Sequence, residues 1–160
     1  MNRPSLPRVA VLTTVGLLVI INVLGLPLRT DVAPLGIVSL QLATSVEHAG
    51  AILASWVDVP TARILGAHGL DVLLPVAYAV AIGSVASRLG AGRAAIAAVI
   101  AAVADQVENA AMAATIVSAP TAVVVRITLV AAVVKWTTLA VALVLLGRAS
   151  VSVRRRAAVT

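Results

Sequence analysis

The chain has 160 residues, 61% of them apolar and only 11% charged, with a net charge of +6 and a mean hydropathy of +1.11. A soluble chain carries about 25% charged residues, so this balance excludes an ordinary small globular domain and points to a membrane protein. Arginines gathered at segment ends, with two tryptophans, one tyrosine and no phenylalanine, offer no basic stacking face for nucleic acid, and the lack of cysteine excludes disulfides and thiol chemistry.

The chain opens with a basic head carrying Arg3 and Arg8 and broken by Pro4 and Pro7. The apolar run Val9–Leu26 follows. A secretory leader is the alternative reading, but the exit sequence LGLPLRTDV has no small-x-small cleavage site, and the run is long for a leader core. It reads as an uncleaved first span, with Asn22 its one strongly polar residue.

Pro27–Leu70 is the least regular part. Leu35–Trp56 is mostly apolar but embeds Gln41, Glu47 and His48. A full crossing here would put the two arginine-rich ends on opposite faces. An interfacial segment, lying on the membrane or dipping partly inward, keeps them together, with Trp56 at headgroup level. Asp58 is expected to cap the next helix, with Pro60 in its first turn and Arg63 and His68 on its amphipathic lead-in.

The second span is expected over Gly69–Leu89, with Asp71 near its outer end and Pro75 kinking it. The third, Ala94–Val117, is apolar but carries Asp105, Glu108 and Asn109 at its middle, and their spacing puts all three on one helical face. The fourth is expected over Val123–Leu146, closed by Gly147, Arg148 and the run Arg154-Arg155-Arg156. Arginines at both termini and in the Arg88–Arg93 turn agree on four crossings with both ends cytoplasmic.

Depth follows from a rise of roughly 1.5 Å per residue. Asp105, Lys135 and Tyr78 reach about the same level, some 15 to 16 Å from the cytoplasmic end, and Glu108 and Asn22 lie about one turn higher. Four helices thus offer polar groups to one central slab. Lys135 is the only lysine, and its ammonium needs a carboxylate, for which Asp105 is the depth-matched candidate. Two acids and one lysine do not balance, so Glu108 is expected to be left without a partner and to hold a proton part of the time. Ionisable groups inside a membrane usually serve a function, although such pairs can also simply fix helix register.

The ordered set Pro34-Leu-Gly-Ile-Val-Ser39, Ser55-Trp56, Leu70-Asp71 with Pro75 and Tyr78, Asp105-Gln-Val-Glu108-Asn109 and Lys135-Trp136 resembles a family of small bacterial four-helix integral membrane proteins with a DxxEN motif in the third span. The resemblance covers most of residues 34–136. Gln41 departs from the pattern, standing where an acid is expected. The family brings no known activity, so the resemblance implies architecture alone.

The expected fold is all-α, an antiparallel four-helix transmembrane bundle with an extra extracytoplasmic interfacial segment over residues 35–68, in the inner membrane of a bacterial cell. Candidate catalytic residues are Asp105, Glu108 and Lys135. Candidate ligand-binding residues are Asn22, Glu47, His48, Asp71, Tyr78, Asn109 and Trp136. No zinc spacing, phosphate loop, dinucleotide fingerprint or nucleophile elbow is present in the sequence, and no metal or cofactor is expected. The expected partners are the lipid bilayer and a lipidic or small-molecule ligand, with no nucleic acid. A proton-coupled transport component, which would act as a homo-oligomer, and a structural subunit are the competing readings.

Overall fold

The computed structural model describes residues 5–157; Arg3 and Pro4 of the basic head, and the side chain of Arg156, lie outside the described residues. Seven α-helices account for most of the described chain, and no strand occurs among these residues. They are α1 (Leu6–Leu24), α2 (Ile37–Gln41), α3 (Val46–Ala54), α4 (Thr61–Asp71), α5 (Leu74–Leu89), α6 (Gly92–Val117) and α7 (Ala122–Ala157). A single 3-10 turn, Leu26–Leu28, follows α1. Four helical stretches are long and apolar enough to cross a membrane: α1, α4 together with α5, α6 and α7.

The second of these differs from the expected kinked helix. The chain breaks between α4 and α5 at Val72-Leu73, and Pro75 sits in the first turn of α5, where its missing N–H costs nothing. The side chain of Gln106 on α6 donates to the Val72 carbonyl at 2.8 Å, so a main-chain acceptor at the break has a partner. Asp58 does not cap α4. Pro60 occupies the cap position, and no side chain bonds the first turn.

α6 and α7 share the most extensive interface, α5 packs on α6, and α1 packs on α5. The reason is side-chain size. α6 buries Ala94, Ala97, Ala98, Ala101 and Ala104 along one stripe, against Ala131, Ala132 and Ala142 of α7. Without a hydrophobic drive between helices in lipid, such small residues let backbones approach and gain dispersion contacts. The α5–α6 turn needs glycine. Gly90 adopts φ 64° and ψ 27°, and Ala91 N–H then closes onto the Ala86 carbonyl at 2.8 Å.

α7 runs through Gly147 to Ala157 instead of ending near Leu146. One glycine costs about 1 kcal/mol in a helix and no proline follows, so nothing stops it. Ser150 and Ser152 bond back to the Leu146 and Arg148 carbonyls.

The segment between α1 and α4 is no single interfacial helix. It folds into a small cap around Trp56, with Leu28, Ala33, Leu40, Ala43, Ala49 and Ile52, and it packs on Val125 at the start of α7. Trp56 is 2% exposed and donates from Nε1 to the Leu28 carbonyl at 2.8 Å, so it pins the cap instead of sitting free at a headgroup level. Gly36, with φ 60° and ψ −127°, turns the chain into α2 in a conformation open only to glycine.

Candidate functional site

One turn of α6 builds the centre of the site. Asp105, Glu108 and Asn109 all fall on its buried face, and Glu108 is fully buried. Lys135 reaches across from α7. Its Nζ donates to Glu108 Oε1 at 2.8 Å and to Asp105 Oδ1 at 3.3 Å. Tyr78 on α5 donates from its hydroxyl to the second oxygen of Asp105 at 3.2 Å. The Trp136 ring lies beside the ammonium, with its centroid 5.0 Å from Nζ, and adds a favourable cation–π contact.

The charge accounting thus differs from the sequence expectation. Glu108 is not the acid left over: it takes the shorter of the two bonds to Lys135, and Lys135 bridges both acids. A four-carbon stem with a rotatable ammonium can serve two acceptors one helical turn apart. These are the two ion pairs among the described residues, and neither involves Asp71. Asp71 is only 8% exposed. The bonds between two side chains join Thr30 to Ser55, Tyr78 to Asp105 and Lys135 to its two acids, so none reaches Asp71.

Beside this cluster lies a cavity of about 420 Å³. It occupies the gap between α1 and α7, which make no substantial contact with each other, and its back wall is α5. Toward the cap it is bordered by Gly25, Arg29, Leu35, Val38 and Gln41. At its middle Asn22, Asp71, Tyr78, Asp105 and Lys135 face it, and Leu18, Ile82, Leu139 and Leu143 make its other end apolar. Leu18, Trp136 and Leu143 are 44%, 49% and 55% exposed, and so the lips of the cavity on α1 and α7 open sideways.

No family model, curated protein or solved structure matches the chain. The site is therefore read from its own geometry.

The sequence-derived candidates divide into three groups. Asn22, Asp71, Tyr78, Asp105, Lys135 and Trp136 line the cavity, although Asn22 is exposed and spends its amide N–H on the Leu18 carbonyl. Glu108 and Asn109 stand behind the cavity wall; the Asn109 amide has no partner at either atom. Glu47 and His48 are exposed on α3 and do not line it. Glu47 instead serves the N-terminus of its own helix: its carboxyl is held below its ordinary pKa by its own main-chain N–H and then by Ser45, which also caps α3 through His48 N–H at 3.1 Å.

Three residues at or beside the site lay outside the sequence-derived set. Gln41 is 3% exposed, lines the cavity and leaves its buried Oε1 without a partner. Arg29 lines the cap end and takes part in neither ion pair. His68 is buried, and its Nε2 donates to the Asn109 main-chain carbonyl at 2.8 Å, tying α4 to α6 beside the cluster. The signal for His68 was its spacing of three from Asp71, which puts both on one face. Arg29 and Gln41 carry no such signal.

Proposed function

We propose that this is an integral membrane protein of the bacterial inner membrane that binds a lipidic ligand, admitted sideways between α1 and α7. The observation that carries the reading is the cavity itself. It has the size of a ligand pocket, roughly 300–1,000 Å³ in general, with an apolar end, a polar middle and exposed apolar lips on the lipid side. A structural subunit would be expected to fill its centre. A transport pathway would need polar walls toward both faces, whereas here the end around Leu139 and Leu143 is apolar.

The membrane arrangement in this proposal is an antiparallel four-helix bundle, as in the small bacterial family that the DxxEN stretch resembles. Arg8, Arg88, Arg93, Arg148, Arg154 and Arg155 lie at the ends away from the cap, which supports an orientation with both termini in the cytoplasm and the cap outside. Asp105 and Lys135 are the charged pair that a ligand would touch at mid-membrane. Glu108 acts through them by holding the ammonium in place. In a catalytic version, Asp105 would exchange protons with the ligand and Tyr78 would orient it.

The test is mass spectrometry of lipids retained by the purified protein, compared with Leu139→Trp, which places an indole in the apolar end. Lipid retained by the wild type and lost from the folded variant supports the reading. Equal retention by both refutes it.

A further inference from the structure

Resting on that lipid-binding reading, we infer that the ligand is a zwitterionic aminophospholipid, its primary ammonium held by Asp71 and its phosphate by Arg29. Four charged side chains line the cavity: Arg29, Asp71, Asp105 and Lys135. Two of them satisfy each other, because Lys135 bonds Asp105 at 3.3 Å while also holding Glu108. The remaining two, Asp71 and Arg29, are opposite in sign and belong to no ion pair, not even with each other. Asp71, being buried, gains most from a cation in the cavity, Arg29 at the rim can take an anion, and a zwitterion supplies both.

Polarity along the cavity fixes which end of the headgroup goes where. Asp71 is buried, and a carboxylate there without an ion-pair partner is costly. Its carboxyl lines the cavity with no side-chain donor, and a primary ammonium has three donors to give. A quaternary ammonium has none, so a choline headgroup would leave the Asp71 carboxyl without a donor. Arg29 is exposed at the cap end, with a planar fork suited to phosphate. Acyl chains then run from the headgroup toward Leu139 and Leu143 and leave between α1 and α7. An anionic headgroup such as glycerol phosphate would satisfy Arg29 but leave Asp71 without a cation, and the three acids Asp71, Asp105 and Glu108 outnumber Arg29 and Lys135.

The experiment loads purified full-length protein in nanodiscs of equal parts phosphatidylethanolamine, phosphatidylcholine and phosphatidylglycerol, then transfers it to detergent and quantifies the lipid that stays bound. Wild type is expected to retain phosphatidylethanolamine on the order of tenfold over either competitor, the value of one charge-assisted hydrogen bond. Asp71→Asn is expected to retain lipid but lose that preference, and Arg29→Gln to retain less of every phospholipid. Bound lipid at the input ratio in the wild type, or a preference that survives Asp71→Asn, overturns the headgroup assignment and leaves the pocket reading standing. No lipid retained by the wild type, and no difference from Leu139→Trp, overturns both. Should Asp71→Asn fail to fold, the wild-type ratio decides alone.

Discussion

Replacing Lys135 with methionine removes the one cation of the central cluster while keeping the length of its stem. In the wild type Nζ is 2.8 Å from Glu108 and 3.3 Å from Asp105, and all three side chains are at least 95% buried. After the change Asp105 keeps only the Tyr78 hydroxyl, and Glu108, whose Oε2 has no partner to begin with, keeps nothing. Breaking a buried pair from one side costs about 3–5 kcal/mol in soluble proteins. For a chain of this size that lowers Tm by on the order of 10 °C. The opposing magnitude comes from interhelical polar contacts in membranes, which average about 0.6 kcal/mol because the unfolded state in lipid also finds partners. The two figures are far enough apart to decide. Unfolding in mixed micelles, followed by circular dichroism, should show the large loss for Lys135→Met and substantial recovery in Lys135→Met/Glu108→Gln, which removes one of the stranded charges. A single variant within about 0.6 kcal/mol of wild type would refute the buried-charge argument, as would a double variant no better than the single.

Gln106→Leu leaves the Val72 carbonyl at the α4–α5 break without its donor, and is expected to cost about 0.5–1.5 kcal/mol in the same unfolding assay. Trp56 and Trp136 should separate by fluorescence: lipids brominated on their acyl chains are expected to quench Trp136, 49% exposed, in Trp56→Phe, and to leave Trp56, 2% exposed, nearly unquenched in Trp136→Phe. Glu47 should titrate below the ordinary carboxylate range in a carboxyl NMR experiment. Because its folded value is lowered, its small contribution to cap stability is present above the unfolded value and lost as pH falls through the folded one. Ser45→Ala should move the Glu47 titration only part of the way back, since the main-chain N–H is the larger cause.

The four long apolar stretches and the polar slab were legible because each rests on a local signal: unbroken hydropathy for the spans, i, i+3 and i+4 spacing for Asp105, Glu108 and Asn109. Counting rise along the helices was enough to bring Lys135 and Tyr78 to the level of Asp105. The same count could not assign Glu108, because two acids one turn apart are both within reach of a flexible ammonium, and the choice is made by how α6 rotates against α7. The break at Val72-Leu73 was hidden for a related reason. Pro75 suits either a kink or a first turn, and the Gln106 bond that stabilises the break comes from another helix. Arg29 and Gln41 belong to an irregular segment whose path is set by Trp56 and its bond to the Leu28 carbonyl, a contact 28 residues apart that no periodicity encodes.

Lys135, the chain's only lysine, lines the cavity and is 4% exposed. Amine-directed reagents therefore meet only one side-chain target in the whole protein, and it lies beside the proposed ligand. A membrane-permeant acylating probe used at high pH, with the adduct read on the Lys135 peptide, would turn that side-chain amine into an occupancy gauge. Empty protein would gain the mass of the adduct, and filled protein would be shielded. The arrangement that holds three charges out of water thus also leaves the molecule with one side-chain amine as its own chemical reporter.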